Sequence, residues 1–291
     1  MTERAAGSWP KSSSRFFHPT ILPALHYFFW SKKLNVHFGY YRFGCSLRLE
    51  AMLAAMNQLI ARSLQLSSAP DAILDMGCGF GTTAQDISQS FPNIKITGVN
   101  LLPSQIELAK QRSAPGSVQF MEADFQAIPL PGAIFHAAYA LESACYSNDE
   151  NKAGLVSEVA RLLQPGGRFV VVDGFRKHGR KLPGWVDFLY QENLRTWGMP
   201  SLATIGGFCE ALTQYGFEEV RKKDISWNML PSLLHVPFVV GRLCFANLKE
   251  KDAGRSWYIR ALLLTLALVP FKRHFAYYLV TCVKSSVKSQ F

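Results

Sequence analysis

The chain has 291 residues, 48% of them apolar and 18% charged, and carries a formal net charge of +10. That length and apolar content suffice for a sizeable core and exclude a disordered chain, disorder being expected only over Met1 to Ser14, where Ser, Gly and Lys gather. Six scattered cysteines without a C-x-x-C pair and without an apolar signal segment ahead of them point to a reducing, cytoplasmic setting and to no structural zinc. Seven histidines without H-x-x-x-H or H-E-x-x-H spacing indicate no metal site, and the absence of G-x-S-x-G removes the hydrolase nucleophile elbow.

Residues 15 to 45 are rich in aromatics: Phe16, Phe17, Tyr27, Phe28, Phe29, Trp30, Phe38, Tyr40, Tyr41 and Phe43, with His26 and His37 among them. Such a segment serves as a helical lid or lines a pocket. Residues 46 to 66 place Leu47, Leu49, Met52, Leu53, Met56, Leu59 and Ile60 at helical spacing, so an amphipathic helix closes an N-terminal lid unit over residues 1–66.

From residue 67 onward the pattern becomes strand and helix in turn. Strands are expected at Ala72 to Met76, Lys95 to Val99, Val118 to Glu122, Ala133 to Leu141 and Arg168 to Val172. Helices are expected at Thr82 to Ser90, Pro103 to Arg112 and Asn151 to Leu163, with a turn at Pro165-Gly-Gly167. This alternation predicts an α/β fold, a Rossmann-like doubly wound sheet of seven mostly parallel strands with helical additions at both ends. Helical insertions are expected at 184–215 and 227–272, and the last two strands at Glu218 to Ile225 and Phe275 to Val283.

From Arg221 to the end there are 12 Lys and Arg against 3 Asp and Glu, so most of the positive excess lies in the last quarter. That quarter also holds the apolar runs Leu233 to Val240 and Ala261 to Phe271, the second shorter than the roughly 20 residues that a bilayer span needs. Two readings stand side by side: a surface that lies on an anionic membrane, or a core helix flanked by solvated lysines. No RNA-binding module accompanies the charge, so no nucleic-acid partner is expected. The oligomeric state is not legible.

Four consecutive strand ends carry groups suited to a nucleotide-like ligand, which open α/β sheets bind at the carboxyl ends of their strands. The first ends in Asp75 and Gly77-x-Gly79-x-Gly81. Glycine lets backbone approach the ligand and the following helix offers amide donors. Thr82 stands where a dinucleotide fingerprint needs its third glycine, so a bound pyrophosphate is not expected. Cys78 reads as a small residue filling tight space. The second strand ends in Asn100, suited to ribose hydroxyls, with Leu101 beside it for an adenine face. The third ends in Asp124, placed to accept from an adenine amino group, and the fourth in Tyr139-Ala-Leu-Glu-Ser143.

Through Leu74-Asp-Met-Gly-Cys-Gly-Phe-Gly81, Gly98-Val-Asn100, Ala123-Asp124 and Leu163-Gln-Pro-Gly-Gly167, the chain resembles the class I S-adenosylmethionine-dependent methyltransferases over about residues 70 to 175. The resemblance implies S-adenosylmethionine as cofactor, with Asp75, Gly77 and Gly79 around its methionyl part, Asn100 at the ribose and Asp124 at the adenine. Cys78, Leu101, Gln105, Ala123, Phe125 and Leu141 complete that expected shell. Asn100 stands where most relatives carry Asp or Glu. Gly98 to Ile106, Ala123 to Pro129, Tyr139 to Tyr146, His37-Phe-Gly-Tyr-Tyr41 and Trp197 to Leu202 are similar to the sterol C-24 and tocopherol-type lipid methyltransferases.

The expected reaction is methyl transfer to a hydrophobic small-molecule acceptor, a sterol, isoprenoid or prenylquinol. The rivals are a small polar metabolite methylated on oxygen or nitrogen, and a non-catalytic protein that keeps the fold. Glu142 is the candidate catalytic carboxylate, able to stabilise a cation or take a proton. Tyr40, Tyr41, Trp185 and Trp197 are candidates for cation–π stabilisation. His37 is a candidate base on a phenol or acid acceptor, or else a packing residue.

Overall fold

Short β-rich runs separated by helical segments build the elements of a computed structural model that describes residues 24–66, 71–114, 116 and 118–286. Phe16, Phe17 and the segment Met1 to Ser14 lie outside the described residues. In chain order the elements are α1 (Ala24–Tyr27), α2 (Leu49–Leu64), β1 (Ala72–Met76), α3 (Thr82–Ser90), β2 (Lys95–Asn100), α4 (Pro103–Arg112), β3 (Val118–Glu122), β4 (Phe135–Leu141) and α5 (Ala153–Leu162). There follow β5 (Leu163–Arg176), α6 (Gly184–Trp197), α7 (Ile205–Gln214), β6 (Phe217–Asp224), α8 (Ser226–Leu233), α9 (Val236–Lys249), α10 (Ala253–Leu268) and β7 (Phe275–Lys284).

The seven strands form one sheet in the order β3-β2-β1-β4-β5-β7-β6. The first five pair in parallel, and β7 runs antiparallel to both β5 and β6. Both faces of the sheet are covered, which is why β1 and β4 read as mostly apolar runs, broken by Asp75 in β1 and His136 in β4. Leu74, Met76, Ala138, Phe169 and Val171 face α5 and α7 through Val156, Val159, Phe208 and Leu212. Ile73, Ala137, Tyr139, Val170 and Val172 face the other way, onto Met56 and Ile60 of α2, Ile87 of α3 and Ile106 of α4. At the edge, β6 exposes Glu218, Glu219, Arg221, Lys222 and Lys223, charges that discourage pairing with another chain.

Three expectations shift in the structure. The Pro165-Gly-Gly167 turn lies inside β5, where the pairing with β4 jumps from Phe135–Leu163 to Ala137–Arg168 and Gly166 takes φ 78°, so the turn survives as a bulge. Helix α5 begins at Ala153 and not at Asn151, because Lys152 is left-handed at φ 63° and the Asp149 carboxylate caps the amides of Ala153 and Gly154. The apolar run Ala261 to Phe271 is mostly α10, packed inward through Ala261 and Leu262. The stretch that instead meets the length and composition of a membrane span is Ser226–Lys249, 24 residues with a mean hydropathy of 1.5 in its most apolar window.

Lys152 is the one buried lysine among the described residues. Its ammonium donates to the carbonyls of Ser147 at 2.9 Å and Ser201 at 3.0 Å, with Cys145 O at 3.4 Å and Ser201 Oγ at 3.3 Å. It fastens the loop after β4 to the loop between α6 and α7. Replacing it by Met leaves these buried carbonyls without a donor, so Lys152→Met is expected to lower unfolding free energy by about 2–4 kcal/mol. Urea titration followed by circular dichroism measures this.

Candidate active site

Strand order reverses between β1 and β4, and ligands of open α/β sheets bind at that crevice, outside the carboxyl ends of the strands. Here β1 runs into the glycine loop, whose first two amides, Gly77 and Cys78, both donate to Val99 O at 2.9 Å. Gly77 sits at φ 94°, and a Cβ there would lie 2.4 Å from Ser143 Cβ; Gly81 sits at φ 74°, with Phe120 Cζ at 2.4 Å from its would-be Cβ. Glycine is required at both points by conformation and by space. Cys78 packs its side chain beside Gly98, and burial pushes its thiol well above the ordinary range, which fits a space-filling residue.

Asp75 faces the same side of the sheet as its register partner Tyr139, whose hydroxyl donates to it at 2.6 Å. Burial raises its pKa to about 7. A cavity of about 20 Å³ lies here, and Asp75, Gly77, Cys78, Tyr139 and Leu141 share its wall with Leu34 to His37. The segment before α2 is held across the loop by Thr82 Oγ1, which donates to Lys33 O at 2.7 Å, and by Arg112, whose guanidinium donates to the same carbonyl at 2.8 Å. At the neighbouring strand ends Asn100 donates to Gln105 Oε1 at 2.8 Å, and Ala123 N donates to Asn100 O at 3.0 Å. Asp124 accepts from Gln126 N at 2.8 Å, and Phe125 packs on the core. Leu101 is partly exposed beside them.

A second cavity, of about 240 Å³ and walled mostly by apolar side chains, lies on the far side of the same segment. Val36 and His37 line both. Glu142 ends β4 at φ 50° and projects into this larger cavity. Its carboxylate accepts from Phe38 N at 2.7 Å and from the Tyr277 hydroxyl, and burial lifts its pKa to about 8. Asp173, at the end region of β5, lines the cavity too. It accepts from Cys145 N at 3.0 Å and Gly174 N at 2.7 Å, and burial raises it to about 6. Around the two carboxyls stand Tyr27, Trp30, Phe38, Tyr146, Trp197, Tyr258 and Tyr277.

Several of the candidates singled out by sequence lie elsewhere. Tyr40 is in the core, because the turn at Gly39 packs against Met52 and Tyr40 N donates to Met52 O at 2.8 Å. Tyr41 is drawn to α8 by Tyr41 N donating to Asn228 O at 2.8 Å. Trp185 is exposed and meets Phe271 edge-on at 4.8 Å. None of the three lines either cavity; Trp197 does. His37 stands in the partition, but its ring nitrogens lie 2.9 Å from Phe38 O and 3.1 Å from Asn35 Oδ1, and burial lowers its pKa to about 4. It is thus neutral, engaged and a poor base. Asp173 and Tyr277 escaped the sequence reading, since an Asp within a strand and a Tyr in a Tyr-Tyr pair carry no motif.

Comparison with known proteins agrees with this geometry. A methyltransferase-domain family model matches residues 73–167. An O-methyltransferase of Aspergillus nomiae, rstn1, is 34% identical over 53% of this chain and 67% of its own length. Cycloartenol-C-24-methyltransferase of Arabidopsis thaliana is 31% identical over 66% of this chain and 58% of its own. Among solved structures, the cyclopropane synthase MmaA2 of Mycobacterium tuberculosis superposes with a TM-score of 0.79 at 16% identity, covering 92% of this chain and 96% of that one. The sheet and its helices are therefore the Rossmann-like methyltransferase fold. The chain belongs to the S-adenosylmethionine-dependent methyltransferases. It spans a little over half the length of the first curated relatives it matches.

The residues present fit the family's cofactor. A buried carboxyl with one phenol partner, Asp75, shares the wall of the narrow cavity with Gly77 at the switch point of the sheet, where a ligand's cationic group would meet it. The burial also leaves a mark on stability. Asp75, Asp173 and Glu142 are held above the unfolded value of about 4, so each contributes stability that is complete below that pH and vanishes as pH rises through its folded value. His37 has the opposite sign, since its folded value is depressed, and its contribution is lost as pH falls from about 6.5 to 4. From about pH 7 upward His37, like His26, is mostly neutral in both states, so Asp75 and Glu142 dominate the slope. The melting temperature without added cofactor is expected to fall between about pH 6.5 and 8.5, and to fall less in Glu142→Gln; differential scanning calorimetry checks both.

Proposed function

We propose that this chain transfers a methyl group from S-adenosylmethionine to a hydrophobic lipid-like acceptor, a sterol, isoprenoid or prenylquinol, at carbon. The observation that carries the reading is the pair of abutting cavities: a narrow one over Asp75 and Gly77 and a larger apolar one holding Glu142, with Val36 and His37 common to both. When bound, S-adenosylmethionine supplies an electrophilic methyl on a sulfonium. Asp75, Gly77, Cys78, Gly79 and Leu141 surround the methionyl part, Asn100 and Gln105 hold the ribose, and Leu101, Ala123, Asp124 and Phe125 enclose the adenine. Among the described residues the segment ahead of α2 acts as the lid, keeping water from both sites through Val36 and His37, and catalysis is alignment and electrostatics.

Glu142 faces the charge that methylation of a double bond creates in the acceptor. A carboxylate among phenols in an apolar wall stabilises a carbocation and takes the proton that leaves it. Tyr27, Tyr146, Trp197 and Tyr258 add ring faces to the same task. The names of the sterol and O-methylating relatives support carbon and oxygen acceptors respectively, and methylation on oxygen of a small polar metabolite is the second reading. The apolar wall of the larger cavity favours the first. The enzyme is further proposed to work in the cytoplasm as a peripheral protein on an anionic membrane surface, in line with its basic last quarter.

Incubation of the full chain with labelled S-adenosylmethionine and a total lipid extract, followed by mass identification of the product, tests the acceptor class. Label in a neutral lipid supports the reading, and label confined to the aqueous phase overturns it. Glu142→Gln is expected to lower turnover by about 10²–10⁴ with cofactor affinity unchanged; unaltered turnover would remove the carboxylate from the mechanism. Asp75 must ionise to hold a cationic ligand, so S-adenosylmethionine affinity should weaken below about pH 7 by up to about tenfold per unit. Calorimetric titration in buffers of different ionisation enthalpy reads the proton released on binding near pH 6.

A further inference from the structure

The outward face of the helical pair α8 and α9 is apolar except for Arg242, which is exposed between Phe238 and Phe245 and lies 5.4 Å from the centre of the Phe29 ring. Trp227 is 72% exposed, Phe238 74%, Phe245 61% and Leu248 85%, with Leu234 at 66%. Their spacing of seven, four, seven and three residues sets them on one stripe. A helix on a water-facing surface carries charge there, yet between Ser226 and Leu248 the one Lys, Arg, Asp or Glu is Arg242. The opposite face is fully used: Leu233, Val236, Val239 and Leu243 are buried against Trp30, Leu53, Tyr258 and Leu262.

Cations mark both ends of the stripe. Lys272 Nζ lies 3.4 Å from the centre of the Trp227 ring, and Lys249 Nζ lies 4.8 Å from that of Phe245. A loop adds a further apolar tip beside the pair. Asn228 donates to Tyr41 O at 2.9 Å, and His235 Nε2 lies 2.9 Å from Leu47 O, which brings Phe43, 99% exposed, to the same region.

We propose that this stripe is the surface by which the protein lies on an anionic phospholipid bilayer, and that the acceptor passes from the bilayer into the large cavity beside Trp227. The second part rests on the reading of that cavity as the acceptor site. An apolar helix face about 27 Å long between Trp227 and Phe245 presents what the acyl boundary takes up, while the flanking ammonium groups meet lipid phosphates. The segment has the length and hydropathy of a span, but its inner side supplies Met229, Leu230 and Leu233 to the cavity wall. It therefore lies in the plane of the interface. Ser226, next to Trp227 in the chain, and Lys272, whose ammonium lies against the Trp227 ring, both line the cavity, so the passage opens where the stripe begins.

Flotation of the full chain with phosphatidylcholine vesicles, with and without about 30 mol% phosphatidylserine, tests the surface. The wild type is expected to float with the anionic vesicles, and F238D/F245D to lose about tenfold or more in partitioning with its thermal melt and S-adenosylmethionine affinity unchanged. Quenching of indole fluorescence by brominated lipid should diminish in Trp227→Phe. A wild type that stays with the aqueous phase, or a double variant that floats equally well, overturns the proposal. So does a wild-type dimer that F238D/F245D converts to monomer in light scattering, which would make the stripe a contact between copies. Loss of lipid methylation with flotation intact would sink the acceptor assignment and leave the docking surface standing.

Discussion

One buried carboxyl joins three distant parts of this chain. Glu142 leaves β4 at the switch point of the sheet, and its carboxylate accepts from the amide of Phe38 in the N-terminal segment and from the hydroxyl of Tyr277 in β7. The partners lie 104 and 135 residues away in sequence. A left-handed backbone at a non-glycine residue costs on the order of 1–3 kcal/mol, and persists where surrounding contacts over-determine it. The two hydrogen bonds, together with Glu142 N donating to Val172 O at 2.8 Å, supply that constraint. With Phe38 held there, His37 and Val36 become the partition between the two cavities.

The buried charge inside the site is carboxylic, with Lys272 the one Lys or Arg lining the larger cavity. Asp75 lies beneath the narrow cavity and Glu142 and Asp173 beside the larger one, each pushed towards the neutral form by burial. Such a site binds cationic groups well, because a positive ligand restores each carboxylate at the moment it arrives. A sulfonium donor and an acceptor that becomes cationic both meet this requirement. Neutral His37 between them adds no competing charge.

The last quarter divides its apolar residues between interior and surface. Leu262, Thr265 and Leu268 of α10 face the large cavity, so the most conspicuous apolar run in the sequence belongs to the pocket. The exposed stripe is on α8 and α9, where periodicity hides it among residues that are apolar on both faces. Two faces of one helical segment thus have separate work, one walling the cavity and one meeting the surroundings.

By itself the sequence determined the sheet, its alternation with helices, the glycine loop and the family. These depend on local patterns: the period of apolar residues, the positions of glycine, and short polar residues at strand ends. The placement of Asp75, Gly77, Asn100 and Asp124 at strand ends was legible for that reason, as was that of Glu142 just after β4. The tertiary structure alone decided which aromatics surround the large cavity, because Tyr27, Tyr258 and Tyr277 come from separate elements and meet only on packing. Tyr40 and Tyr41 shared their local pattern, yet Met52 and Asn228 drew them away. Asp173, Lys152 and the outward face of α9 were equally hidden, since burial and exposure are set by neighbours remote in the chain.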